Sequence, residues 1–477
     1  MRSLRANFIW NASYQVVRII IPLITMPYLS RVLGSSPLGV YSYTYTIANY
    51  FIFFILLGLN QYGVREIAKV RENGEELSKA FNSIFAMQIG SGIIVVAAYL
   101  VYIALSESDM QLFAAIWSIW VVSEVFDIAW LFFGLEEFKT ITIRNIAVKL
   151  FVVIGIFGFV HTQADLWIYC FIQASGSFVS VVVLWPMIRG RVRLSKPIWN
   201  DVKQHIKPNL MLFAPVIAIS FYTQIDKVLL GSMSTMNQLG FYDNAEKISL
   251  IPLSVIQALG TVMLPRMSNL VAAGKTDEVR EHIGTSIWFA NIMAMGFMFG
   301  IAGVSHEFVP VFFGPGFEPV EIMMPLIGVI IPIVAWSNVL GVQFLLPSGK
   351  DCEYLISVIC GAMVNVVLNF ALIPELGGVG SSIATIAAEL SVTLMQVYYL
   401  RSELPFGRYL RDAVPYVIIG ALMMLVTCVI GWAMGANVLG VSCQITGGAV
   451  CYAAMAFAWM TVRRDSRIRL FKQHRWK

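Results

Sequence analysis

Asp226, Lys227, Glu246 and Lys247 lie within Phe221 to Ile251, FYTQIDKVLLGSMSTMNQLGFYDNAEKISLI, a stretch otherwise fit for lipid. A Lys or Asp at the centre of a membrane helix is disfavoured by roughly 2.5 to 3.5 kcal/mol on insertion scales, so such groups persist where they face a wet cavity or a partner. The other charges stranded in apolar runs are Arg18 and Arg31 in the first run, Glu124 with Asp127, and Glu389. Arg18, Lys227 and Lys247 present a cation from three different apolar segments. Guanidinium and ammonium groups bind phosphate oxygens by charge-assisted hydrogen bonds, so a cleft lined by Arg18, Arg31, Lys227 and Lys247 would suit an anionic substrate. Local pairing is the competing reading. Asp226 precedes Lys227, Glu246 precedes Lys247, Asp243 and Lys247 share an i, i+4 row, and lysines near helix ends snorkel to the interface. Arg18 lacks a local acid, which favours cavity lining, whereas Arg31 beside Gly34 suits an interface anchor equally well. Glu124 and Asp127 either carry a proton or sodium ion or pair with Arg18, and the same choice between ion coupling and pairing stands for Asp226 and Glu246.

The elements that position these charges follow from composition. With 58% hydrophobic and 13% charged residues, the chain is far more apolar than a soluble domain, in which about 25% is charged. Its apolar segments have the length a helix needs to cross roughly 30 Å of hydrocarbon, and they lack the alternation of barrel strands. The fold class is all-α: a polytopic membrane protein of about 14 spans. They are expected near 8–33, 39–63, 80–105, 112–134, 143–161, 165–188, 208–232, 239–265, 283–304, 319–346, 353–373, 379–400, 412–434 and 439–462. The first run continues through Pro22 and Pro27, longer than the apolar part of a signal peptide. Prolines 22, 27, 208, 215, 252 and 332 are expected to bend or break their spans. The six cysteines form no CxxC pair and the five histidines no ligand cluster, and no GxxxxGK[ST] loop is present. No cofactor, metal, nucleic acid or direct ATP drive is expected.

Lys and Arg alternate between connections. One side holds Arg65 to Lys79, Lys139 with Arg144 and Lys149, Arg189 to Lys207 and the basic tail, while SESD, HTQAD, PELGG and GANVLG on the other hold none. The positive-inside rule then places both termini in the cytoplasm. The expected organisation is a six-helix lobe over 1–188, a basic amphipathic linker over 189–207, a second six-helix lobe over 208–402, and two extra helices with a basic tail over 403–477. An internal echo supports parallel repeats: LSRVLGSSPLGVYSYTYTI from Leu29 resembles IDKVLLG and QLGFYDNAEKI from Ile225, with Arg31 opposite Lys227. In the linker, Ile198, Trp199, Val202 and Ile206 recur at helical spacing between basic residues, as in a helix lying on an anionic leaflet.

The runs RIIIPLITMPYLSRVLGSSPLGVYSYTYTIANYF, GVREIA, WLFFGLEEFKTITIRN, QIDKVLLGSMSTMNQLGFYDNAEKI, LPRMS and LLPSGKDCEY together resemble the polysaccharide-transporter branch of the multidrug/oligosaccharidyl-lipid/polysaccharide (MOP) superfamily, and within it the bacterial Wzx-type oligosaccharide flippases. The resemblance implies two six-helix lobes in a V opening alternately to either side, and a substrate of undecaprenyl-pyrophosphate carrying an oligosaccharide for surface polysaccharide assembly. It implies further partners in the lipid bilayer and in polysaccharide polymerase and chain-length machinery, and a location in the bacterial cytoplasmic membrane. Carried onto this chain, the span 1 arginine is Arg18 and the D-K pair is Asp226 and Lys227. A multidrug or cation exporter and a peptidoglycan-precursor flippase are the alternatives within the superfamily. An exporter of cations would want uncompensated acids where this chain offers cations. A membrane polymerase or ligase would need a large outer loop, which the short outer connections do not supply.

The topology makes a direct prediction. A single cysteine introduced between residues 189 and 207 of a cysteine-free background should react with an impermeant maleimide only in inverted vesicles; labelling of intact cells would overturn the orientation.

Overall fold

The structure is a computed structural model and describes residues 4–463. Among these residues there is no β-strand, as expected of a chain whose backbone polar groups must be satisfied within each span. The chain divides after Gly231 into two compact units. The first holds α1 (Leu4–Leu33), α2 (Ser35–Leu56), α3 (Leu59–Val70), α4 (Gly74–Leu105), α5 (Ser108–Glu124), α6 (Ala129–Gly134), α7 (Phe138–Phe159), α8 (Leu166–Val182) and α9 (Trp199–Met233) up to Gly231. The second holds α10 (Met236–Ser249), α11 (Ile251–Ala272), α12 (Thr276–Phe312), α13 (Pro319–Gly328), α14 (Ile330–Leu340), α15 (Asp351–Leu400), α16 (Phe406–Met434) and α17 (Val438–Val462). Among the described residues, ten helical segments are long and apolar enough to cross a membrane. Their outer faces carry bare hydrocarbon: Ile94 and Ile154 are each 71% exposed and Trp432 is 89% exposed, which only a lipid surround tolerates.

Several expected spans are divided. The second breaks at Leu57, whose φ of 50° and ψ of −127° lie outside the helical region, and resumes as α3. The fourth breaks between Glu124 and Ala129. The eighth breaks at Leu250, where Pro252 in the first turn of α11 lacks a donor for the preceding helix. The tenth breaks at Val329 and ends in a π-helical turn over Gly341–Leu345. Spans 2, 4, 8 and 10 are therefore each interrupted, six spans apart in two pairs, which the sequence echo did not reveal. Conversely, α1 continues through Pro22 and Pro27, and the outer half of the basic linker, from Trp199, is continuous with the seventh span in α9. The eleventh and twelfth spans join in α15 across Gly377, whose φ of 54° reverses the chain.

In the first unit α1 packs on α7, α2 on α4 and α5, α3 on α6, and α5 on α8. One of its buried groups gathers Tyr62, Phe81, Trp130 and Phe132. Tyr62 Oη and His205 Nδ1, 2.6 Å apart, tie α3 to the start of α9. Gly58, at the head of α3, is where α9 comes closest: a Cβ there would lie 2.5 Å from the Asn209 carbonyl and 2.8 Å from Leu212 Cβ. In the second unit α12 is the central strut, packed on α13, α14, α16 and α17. Gly420 admits the Phe299 ring and Gly448 the Thr427 methyl, so small residues set these close helix contacts. The buried Glu307 carboxylate of α12 accepts from Gln444 Nε2 of α17 at 2.9 Å, and the same nitrogen donates to the Thr427 carbonyl of α16 at 3.0 Å.

The glycine contacts predict a sign difference. Gly58→Ala should destabilise the protein by about 1 to 3 kcal/mol through overpacking against α9. Gly90→Ala, in α4 with open space around it, should stabilise by about 0.4 to 1 kcal/mol through the unfolded state. Thermal unfolding in detergent followed by size exclusion reads both; a stable Gly58→Ala variant would mean that α9 does not approach α3 closely.

Candidate functional site

The break between α5 and α6 frees backbone groups that lipid cannot satisfy. Gln88 of α4, fully buried, takes them up. Its Nε2 donates to the carbonyls of Glu124 and Asp127, each at 2.9 Å, while its Oε1 accepts from Trp130 Nε1 at 3.1 Å. Asp127 Oδ1 accepts from the Ala129 amide at 3.1 Å, which caps α6. Glu124 Oε1 accepts from Trp120 Nε1 at 2.8 Å, one turn earlier on α5. The break thus fixes two carboxylates within one short segment.

The cation whose charge reaches both carboxylates is Arg144 of α7. Its guanidinium is oriented from its own side of the site: Nε and Nη2 donate to Asn145 Oδ1 at 3.1 and 2.7 Å, and Nη1 donates to the Ser180 carbonyl of α8 at 3.1 Å. Tyr14 of α1 lies within electrostatic reach of Arg144, and Arg18, one turn further along α1, within reach of Lys149, also on α7. The Tyr14–Arg18 row of α1 therefore runs beside the Arg144–Lys149 row of α7, consistent with the packing of these helices. Arg18 makes no ion pair with an acid among the described residues.

An aromatic wall adjoins the carboxylates. The Trp120 ring, bonded to Glu124, stacks on Tyr45 of α2 with centroids 4.9 Å apart. Tyr45 meets Trp117 edge-on at 5.3 Å, and Tyr41 lies 4.5 Å from Tyr169 of α8. Trp117 Nε1 donates to Thr44 Oγ1 at 3.1 Å, which locks the wall to α2. Tyr41 and Tyr45 are half-buried, leaving part of each ring accessible.

The remaining residues singled out in the sequence fall elsewhere. Arg31 is exposed at the end of α1, where Nη1 donates to the Pro27 carbonyl of its own last turn at 2.7 Å. Asp226 is 3% exposed on α9 and its charge reaches Tyr50 of α2. Beside it, Asn49 Nδ2 donates to Gln224 Oε1 at 3.0 Å and Tyr50 Oη donates to the Ser220 carbonyl at 3.3 Å. Lys227 follows, half-buried. Glu246 and Lys247 belong to α10 of the second unit, where Lys247 Nζ pairs with the buried Asp243 carboxylate at 2.5 Å. The structure thus brings Arg18, Glu124 and Asp127 to one helix cluster of the first unit. It gives Lys247 a partner on its own helix. The cation expected opposite Glu124 and Asp127 was Arg18, and Arg144 takes that place. Arg144 and Lys149 had been counted with a basic connection, although Ile141, Ile143, Ile146 and Val148 already continue the apolar run around them. No group of three or more metal-ligating side chains occurs among the described residues.

The comparisons with known proteins bear on this fold and site. A family model described as "Polysaccharide biosynthesis protein" matches residues 4–271, and one described as "Lipid II flippase MurJ" matches residues 140–446. A "Putative O-antigen transporter" of Escherichia coli (strain K12) is 25% identical over 84% of this chain and 97% of its own length. The "Probable low-salt glycan biosynthesis flippase Agl15" of Haloferax volcanii is 21% identical over 46% of this chain and 47% of its own. Among solved structures, the inward closed conformation of the lipid II flippase MurJ superposes with a TM-score of 0.76 at 13% identity, over 96% of this chain and 99% of that one. An inward-facing multidrug transporter of the MOP superfamily gives 0.59 at 11% identity, over 83% and 98%. At these identities the likeness establishes the shared fold. With more than half of its length matched by the family model, the chain belongs to the polysaccharide biosynthesis protein family, the Wzx-type flippases of the MOP superfamily.

Proposed function

We propose that this flippase works by alternating access, moving an undecaprenyl-pyrophosphate-linked oligosaccharide from the inner to the outer leaflet of a bacterial cytoplasmic membrane, with both of its termini in the cytoplasm. The observation that carries the reading is the juxtaposition of Arg18 and Lys149 on neighbouring helices with no carboxylate paired to Arg18 among the described residues. Arg18 is exposed and Lys149 half-buried, and two like charges within reach of each other on membrane-spanning helices disfavour each other. A diphosphate bound between them offsets that repulsion through charge-assisted hydrogen bonds. Glycan transport is further supported by the family and by the similarity to an O-antigen transporter and a glycan biosynthesis flippase.

In this reading Arg18 and Lys149 take the diphosphate, and Arg144 stands behind them with its charge balanced by Glu124 and Asp127. Tyr41, Tyr45 and Trp120 offer apolar ring faces with polar edges, the surface that pyranose rings present in return. Lys227 adds a cation from α9, beside the buried Asp226. Arg31, folded onto its own helix end, and Lys247, paired with Asp243 and adjacent to Glu246, hold local structure. Unaided passage would strip the diphosphate of its hydration without compensation. Outward passage of its negative charge is favoured by a potential negative inside, by about 2.3 kcal/mol per charge per 100 mV.

Two expected outcomes test the assignment. Arg18→Ala and Lys149→Ala, at unchanged protein level in the membrane, should each lower flipping in a reconstituted vesicle assay at least about tenfold, the loss of one charge-assisted contact; normal polymer output from both would remove these residues from the substrate path. Lys227→Arg should retain most of the transport that Lys227→Ala loses, and equal rates for the two would assign Lys227 a structural role.

A further inference from the structure

Outside the transport site, the first unit carries a cavity of about 740 Å³ where the start of α4 meets the 190–198 linker and the head of α9. That volume lies within the roughly 300 to 1,000 Å³ of small-ligand sites. Its wall is built. Arg193 N donates to Ser78 Oγ at 3.0 Å, Asn82 Nδ2 donates to the Arg193 carbonyl at 2.9 Å, and Ser195 N donates to Asn82 Oδ1 at 3.2 Å, strapping the linker to α4. Asn82 is buried, so the strap is fixed from within.

The charges of the lining do not close. Lys79, Arg191, Arg193 and Lys196 face Glu75 and Asp201. Lys79 pairs with Asp201 at 3.1 Å, and Arg191 pairs with Glu137 at 3.0 Å while its buried Nη1 has no hydrogen-bond partner. Neither the Arg193 nor the Lys196 side chain has a partner among the described residues. An anion is what would complete this arrangement. Beside these cations, Leu194, Ile198 and Trp199 stand 63%, 66% and 69% exposed. Ile198 lines the cavity and Leu194 and Trp199 are its exposed neighbours along the linker; free phosphate has no use for such bare apolar side chains, whereas a lipid places its phosphate and its acyl chains side by side.

We propose that this cavity binds the phosphate-bearing headgroup of an anionic membrane lipid, with Arg193, Lys196 and Arg191 on the phosphate and Leu194, Ile198 and Trp199 against its acyl chains. The bound lipid would fix the strap between α4 and α9 at the membrane surface. None of these residues belongs to the transport site, so the proposal stands or falls apart from the identity of the transported substrate.

Native mass spectrometry of the full-length protein, released from phosphatidylcholine nanodiscs with and without phosphatidylglycerol, tests it. The wild type should retain one phosphatidylglycerol in preference to phosphatidylcholine. R193Q/K196Q should weaken that retention about thirtyfold, the effect of two interfacial charges, while R408Q/R411Q, which removes two exposed cations from the second unit, should leave it unchanged. K196E, a single exposed reversal, serves the same purpose should the double variant fail to fold. Equal retention by the two double variants would overturn the site. Binding of inorganic phosphate in lipid-free detergent, sensitive to R193Q/K196Q and undiminished by added phosphatidylglycerol, would overturn the lipid assignment in favour of a soluble anion.

Discussion

A helix interrupted at membrane depth must find hydrogen bonds inside the protein, because hydrocarbon offers none. At the break between α5 and α6 one side chain takes up the carbonyls. Gln88 donates to both carbonyls that flank the α5–α6 gap and accepts from Trp130 across it. The positions of Glu124 and Asp127, and through Trp120 the stacking of the aromatic wall on α2, are set by where Gln88 holds this break. An apolar residue in its place would leave the Asp127 carbonyl and the Trp130 indole N–H without their Gln88 partner, each costing about 1 to 3 kcal/mol, and the Glu124 carbonyl with the Asp127 amide at 3.2 Å.

The charged groups of the first unit then sort by how they are compensated. Glu124 and Asp127 have short local donors, Arg144 has Asn145 and the Ser180 carbonyl, and Arg31 closes its own helix. Arg18 is the exception: its charge reaches Lys149 of α7, and it makes no ion pair among the described residues. On α10, by contrast, Lys247 and Asp243 neutralise each other one turn apart, the ordinary behaviour of i, i+4 charges.

Much of this was legible in the sequence. The all-helical class followed from apolar runs of bilayer length, and Arg18, Glu124 and Asp127 stood out as charges in apolar surroundings. The helix breaks were not legible at Leu57 and Glu124: at the first the positive φ falls on Leu57 rather than on the neighbouring Gly58, and Glu124 to Ile128 contains neither Gly nor Pro. Those breaks are tertiary decisions, imposed by Gln88 and by the approach of α9 to Gly58. Pro22 and Pro27 do not break their span, since α1 runs through both. Arg144 and Lys149 were missed because a rule that counts positive charges at membrane edges assigns them to a loop, whereas the helix that carries them begins at Phe138. The cavity beside α4 combines residues some 110 positions apart, a pairing that spacing in one sequence does not disclose.

The final two helices looked like an appendage, lacking any counterpart in the repeat. Their attachment says otherwise. Glu307, on the central strut of the second unit, is satisfied by Gln444 of α17, and Gly431 of α16 is held to a bare backbone because a Cβ would strike both side chains. A chain trimmed after residue 402 would therefore strip that acid of its Gln444 donor and leave it facing fatty tails. The terminal hairpin is in that sense an insulator, and shortening the protein to its duplicated half-pairs would cost more than the surface it removes.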